Sequence, residues 1–400
     1  MTLRTSTSAQ YEAGITTLQQ RQRELVQAQE RMSSGKRILQ ASDDPTGAAR
    51  AERALAAEKR SVANQRAVDA ARNAMSGTEA ALGDAGDLLQ SARELLVQAG
   101  NPTLTSTARA SLAQELSGLR KQLLAVANRS DGSGGYLFAG QGASSPPFVD
   151  APGGVRFNGV SGQAQVSSGE PLPVTADGGA TWLQAPTGNG VFETRAVTQN
   201  GSAWIDTGRV TDPSALTNST WEIRFSSGAS GPVYTVYQDG NATAAAGVAY
   251  QSGKAIEFGG MAVTLTGTPA DGDTFDVLPS QPTLNVFTVL DSAVATLNTP
   301  LVSSGTLTQA MNKGLRDLDA SATRLQTARS DAGEALRRID RVGDRQDALK
   351  LAAQTDRSEA EDLDMVQALS EFQSKQSGYE AALKTYASVQ RLSLFQYIGS

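Results

Sequence analysis

The 400-residue sequence has no cysteine and no histidine. Without cysteine there is no disulfide, no thiolate nucleophile and no cysteine-ligated zinc. That absence suits a protein that leaves the cell without folding help. Without histidine the chain lacks the commonest general base and the commonest metal ligand. Aromatic residues make up 5% and charged residues 19%, the latter below the roughly 25% of ordinary soluble proteins. The net charge of −6 offers no basic surface for nucleic acid. No run approaches the ~20 apolar residues of a membrane span, so no membrane insertion is expected. The opening residues Met1–Ser8 lack the apolar centre of a signal peptide, so any export is expected to use a route that reads no cleaved signal.

What is present is strongly partitioned. All but two of the fourteen prolines, Pro45 and Pro102, lie between Pro146 and Pro300 inclusive. The three tryptophans, Trp182, Trp204 and Trp221, lie in the same stretch. Residues 141–282 carry 12 acidic and 5 basic side chains, while the remainder is almost neutral. Within this middle, runs such as Trp221–Phe225, Val233–Tyr237 and Met261–Leu265, separated by Asp239-Gly240 and Gly259-Gly260, predict an antiparallel β domain.

The two ends read as long helices. Tyr11, Leu18, Leu25, Met32 and Leu39 recur every seven residues, but the companion positions Ile15, Gln22, Gln29 and Lys36 are mostly polar. Such a seam is weak by itself and asks for partners on several sides. Ser42-Asp43-Asp44-Pro45 is expected to end this helix, with Asp44 capping the next. The second helix, about 46–99, alternates Val68, Met75, Leu82, Leu89 and Leu96 with small residues, a pattern for close helix approach. A third carries Leu112, Leu116, Leu119, Leu123 and Val126. Beyond Pro300 the heptads Leu315–Ile339, broken only by Arg329, continue after a phase slip through Val342 and Leu349. One helix of ~90 residues there would be ~135 Å long, too long for a globular core. The fold class expected is mainly α, a long antiparallel bundle from both chain ends, with an inserted antiparallel β domain.

Few signals of chemistry survive inspection. Gly35-Lys36 suggests a phosphate loop, but Glu30 stands where the first glycine is needed and Arg37 where a hydroxyl is needed. Asp271, Asp273 and Asp276 could ligate calcium, but the full twelve-residue loop is absent, and a polar turn is the simpler reading. With 41 acidic residues, chance carboxylate pairs are expected. No catalytic residue, cofactor or metal site is therefore assigned.

Met32-Ser-Ser-Gly-Lys-Arg-Ile38 followed by Ala41-Ser-Asp-Asp-Pro-Thr-Gly-Ala-Ala49 resembles the N-terminal signature of the flagellin family. Tyr379–Leu383, Ser393–Ile398, Gly135–Gly140 and Gly267–Phe275 are similar to its hook-associated branch rather than to the filament protein. The resemblance covers about 140 residues at the front and 115 at the back. It implies a non-enzymatic, extracellular structural subunit that self-associates in a ring. On one side of the ring would be another hook-associated protein and on the other flagellin, beneath the cap protein. A cytoplasmic export chaperone would bind the C-terminal helix first. Segments 1–42 and 355–400 would form the inner tube, 43–144 with 283–354 the bundle, and 145–282 an outer domain. The subunit interface would use Tyr11, Leu18, Leu25, Met32 and Leu39 with Leu363, Val366, Leu369, Phe372, Tyr379, Leu383, Tyr386 and Val389. The terminal segments would bury these faces only between subunits. Alternatives are a filament subunit, or an adhesin-like β domain on a helical stalk.

Overall fold

The computed structural model describes residues 7–101, 103–143, 145–229, 231–300 and 304–398, with side chains from 11 to 388 in those ranges except 304. Contacts divide the chain into two compact units, Met1–Gln65 with Gly343–Ser400, and Arg66–Val342.

Unit 66–342 holds most of two long helices, α2 (Pro45–Ala99) and α6 (Ser304–Glu361), with α3 (Ser106–Ala127) and α5 (Val286–Asn298). The heptad leucines do what their spacing demands: Leu82, Leu89 and Leu96 are buried with Leu318 and Leu325 of α6 and Leu116 and Leu123 of α3. Helix α5, not anticipated from the sequence, is started by Asn285, whose side-chain oxygen accepts from the Phe287 N–H at 2.9 Å. Arg329, the odd residue of the α6 seam, lies over Gly83 and pairs with Glu79 at 2.7 Å. The phase slip leaves both Ile339 and Val342 buried against Val68 and Met75.

The chain from 128 to 185 belongs to this helical core. Strands β1 (Phe148–Ala151) and β2 (Gly154–Phe157) form one hairpin, β3 (Gln165–Ser167) and β4 (Pro171–Pro173) another, and α4 (Gly178–Trp182) follows. Phe138 meets Trp182 edge-on at 5.3 Å, and Trp182 stacks on Phe287 of α5 at 6.1 Å. Gly140 explains the Gly135–Gly140 run: its φ is +67°, and a Cβ there would lie 1.8 Å from the Val160 carbonyl oxygen.

A second core starts at Phe192. Its strands are β5 (Phe192–Thr198), β6 (Trp204–Ile205), β7 (Arg209–Val210), β8 (Trp221–Gly228), β9 (Gly231–Gln238), β10 (Asn241–Ala242), β11 (Val248–Ala249), β12 (Ala255–Phe258), β13 (Met261–Thr266) and β14 (Thr274–Pro279). One antiparallel sheet runs β10-β9-β8-β14-β5, with β11 also on β9; another runs β12-β13-β6, with β7 also on β13. Their facing apolar side chains, among them Ile223, Phe225, Val263, Leu265, Phe275 and Val277, fill the space between. The β core starts later than the composition boundary at 145 because Phe148, Val155 and Trp182 are spent on the helices.

Asp271 and Asp273 close the turn before β14. Asp273 is buried, and its oxygens accept from the N–H groups of Asn200 at 2.6 Å, Gly201 at 3.1 Å and Ala270 at 2.8 Å. Asp271 accepts from Ser227 N–H at 2.9 Å. These carboxylates are turn locks, already engaged by backbone donors.

Candidate assembly surface

Unit 1–65 with 343–400 contains α1 (Thr7–Ser34), α7 (Met365–Ile398), the first part of α2 and the last part of α6. Two expected boundaries change. Helix α1 ends at Ser34, where Gly35 turns with φ +68°, so Leu39 sits in a connector and not on the helix. The long C-terminal helix is broken at 362–364, where Asp364 caps α7 by accepting from Val366 N–H at 2.9 Å and Gln367 N–H at 3.2 Å. Leu363 lies in that break.

The two interruptions clasp each other. Leu363 N–H donates to the Gly35 carbonyl at 2.9 Å, and Arg37 N–H donates to that of Glu361 at 2.7 Å. The Arg37 guanidinium reaches the Ala360 carbonyl at 2.7 Å and Asp44 at 3.2 Å, and Lys36 pairs with Glu361 at 3.3 Å. Asp43 accepts from Leu39 and Gln40 N–H, both at 3.1 Å, and Asp44 caps α2 through Gly47 N–H at 2.9 Å. The backbone bonds from Gln40 and Leu39 hold the Asp43 carboxyl below the ordinary aspartate range. That from Gly47, then Arg37, does the same for Asp44. The Gly35-Lys36 pair is thus a helix end and clasp rather than a phosphate loop.

From this clasp α1 and α7 run antiparallel as a pair. The half-buried apolar residues of α1 form one stripe, Tyr11, Gly14, Leu18, Leu25, Ala28 and Met32. At its start Tyr11 meets Tyr386 edge-on at 6.3 Å, and a Cβ on Gly14 would lie 3.1 Å from the same ring. The answering stripe on α7 is Ala368, Phe372, Tyr379, Ala382 and Tyr386. Seven of the residues expected between subunits, Tyr11, Leu18, Leu25, Met32, Phe372, Tyr379 and Tyr386, therefore lie on stripes facing each other within one chain. A heptad cannot say which chain supplies its partner, and here the nearest one is the chain's own other end. Val389 lies outside the residues whose side chains are described.

The pair is half-finished. Among the described residues of α1 and α7 only Ala368 is buried. Ile15 is 43% and Val26 46% exposed on α1, and Val366 83%, Leu369 47% and Leu383 41% on α7, with Met365 beside them. At about 100° per residue, Ile15 and Val26 on α1, and Met365, Leu369 and Leu383 on α7, lie roughly a quarter-turn from their own contact stripe, with Val366 further round on the same side. Because the helices are antiparallel, both quarter-turns point to the same side of the pair. One face of the hairpin is thus an uncovered apolar row, of the kind that marks an interaction surface. Val26 and Met365 were missed in the sequence because they fall off the heptad; an apolar residue at an off-seam position is the signal that finds them.

Residues 5–143 match the bacterial flagellin N-terminal helical region. The first third of the chain is therefore similar to the flagellin family. It is 26% identical over 398 residues to flagellar hook-associated protein 3 of Escherichia coli, covering 98% of this chain and 99% of that one. Its fold is similar to the flagellar junction protein FlgL of Legionella pneumophila, with TM-score 0.62 and 28% identity over 69% of this chain and 94% of that one. It is also similar to FlgL of Xanthomonas campestris, with TM-score 0.67 and 29% identity over 76% and 98%. The segments that resemble that family's signature, Met32–Ile38 and Ala41–Ala49, form the clasp described above. These relatives are structural flagellar proteins, and no described helix here is long and apolar enough to cross a membrane.

Proposed function

We propose that this chain is the subunit that joins hook to filament in a bacterial flagellum. The observation that carries the reading is the α1–α7 hairpin, which pairs its two ends yet leaves an apolar row open along one side. The near full-length likeness to a hook-associated protein supplies the place where such a row is covered. Copies form a ring. Their terminal hairpins, near 1–42 and 355–400, line its inside, the α2–α6 helices surround them, and the β domain faces outward. One side of the ring seats on another hook-associated protein. The other receives flagellin while the cap protein is in place. Before export, a cytoplasmic chaperone covers the open side of α7, which spares Val366, Leu369 and Leu383 contact with water.

Burying such side chains contributes roughly 1.5–3 kcal/mol each at full burial, so a few per copy, repeated round a ring, suffice to drive assembly. Immunolabelling of intact cells tests the assignment. One band between hook and filament is expected. Label along the whole filament would identify a filament subunit instead.

A further inference from the structure

Within unit 1–65 with 343–400, α2 and α6 meet through buried Ala54 and Ala353, and Glu58 ties them by accepting from Gln354 at 2.8 Å and Arg357 at 2.7 Å. Beside this contact lies a groove of about 570 Å³, floored by Ala54, Ala57, Ala352 and Ala353. Leu349 stands at its edge, 53% exposed, although α6 turns this side toward α2. Arg50 and Arg53 of α2 form its basic rim; Asp356 stands across from them. Leu351 is two residues further along α6, hence roughly 200° round the helix. It projects from the opposite side at the same level and is 66% exposed. The exposed Asp344 and Asp347 share its side of the helix. The same stretch of helix therefore presents a leucine flanked by Asp344 and Asp347 on one side and an alanine-floored, basic-rimmed groove on the other.

We propose that Leu351 of one copy seats in the groove of the next copy, with Asp344 and Asp347 facing that copy's Arg50 and Arg53. This rests on the reading of the chain as a ring-forming subunit and adds which surfaces meet. Knob and groove lie on opposite sides, so two copies cannot satisfy each other. The contact is heterologous and passes from copy to copy until rotation closes it. The small floor residues leave room for the leucine, and the opposed charges set its register and disfavour the reversed arrangement.

The chain has no cysteine, so Leu351→Cys with Ala57→Cys introduces the only two thiols. The full-length double variant is assembled on cells lacking the parent protein, oxidised, and run on a denaturing gel without reductant. A ladder of dimer, trimer and higher species is expected, whereas a mixture of the two single variants should stop at dimer. The contact is overturned if the double variant occupies the parent's position without a ladder, or if Leu351→Cys alone gives dimers. Should the thiol variants fail to fold, charge reversal decides. Arg53→Glu should lower incorporated copies roughly tenfold, and Asp347→Arg in the same chain should restore them; absence of rescue overturns the pairing. Immunolabel position is read separately: a ladder with label along the filament keeps the contact and rejects the junction, and a junction band without a ladder does the reverse.

Discussion

A Cβ on Gly47 would lie 2.4 Å from Oδ2 of Asp44 and 2.6 Å from Cδ1 of Ile38. A side chain at 47 must therefore push aside the capping carboxylate of Asp44 and the end of Ile38. Gly47→Ala should displace the cap and lower stability by about 1 kcal/mol, the usual size of a lost N-cap, as measured by urea unfolding followed by circular dichroism. The pH response of the same site has a definite sign. Asp43 and Asp44 have depressed carboxyl pKa values in the folded chain. Their support is complete above the ordinary aspartate value of about 3.9 and is lost as pH falls through the lower folded values. The amide resonances of Leu39, Gln40 and Gly47 should therefore titrate with midpoints below about 3.9, and midpoints at or above it would contradict the bonds described. Asp273 is a second lock. Asp273→Ala leaves three N–H groups without their acceptor, at a cost of about 1–3 kcal/mol for each that stays dry. Loss of about 3 kcal/mol is expected in unfolding followed by tryptophan fluorescence, which Trp204 and Trp221 report from the β domain. At this scale the sequence was partly legible. Asp44-Pro45 reads directly as a cap because its partners are three residues away. The backbone partners of Gly35 and Arg37 are more than three hundred residues distant, and no local pattern points to them.

At the scale of elements, α1 and α7 separate two roles that one heptad list merged. Tyr386 serves the pair itself, against Tyr11 and Gly14. Val366 serves only the open side. Tyr386→Ala should cost about 1 kcal/mol or more from the aromatic contact and its burial, seen as faster tryptic cleavage at Arg21, Arg23 and Lys375 in the free protein. Val366→Asp should leave that cleavage rate unchanged and abolish incorporation, with filament protein shed into the medium. Equal effects of the two changes on cleavage would refute the division. The heptads made these helices legible, and the leucine–alanine alternation did the same for α2. The breaks at 35–44 and 362–364 were harder. The second has no proline or glycine, and its stop is an aspartate cap that only pays off once the clasp forms. Helix α5 was hidden because it is only thirteen residues, Val286–Asn298, set between Pro282 and Pro300, although its buried Phe287, Leu290 and Leu297 and its exposed Thr288, Ser292 and Ala295 take opposite faces.

For the whole molecule, the partition of proline, tryptophan and charge identified an inserted β-rich stretch. It could not place the start of the second core, because Phe148 and Trp182 look like β-domain aromatics until Phe287 is seen beneath them. The larger pattern is a contrast in burial. In unit 66–342 the seams Val68–Leu96 and Leu318–Ile339 are closed within the chain, whereas α1 and α7 expose apolar side chains along one face. Low burial of this kind predicts opening free energies far below that of the core. The account's central claim is that assembly completes these helices. Amide hydrogen exchange, compared between the free protein and the assembled flagellar structure, tests it most directly. Residues 11–32 and 365–386 should exchange rapidly in the free protein and become protected on assembly, while 68–96 stays protected in both. Equal protection of 11–32 in the two states would contradict the claim.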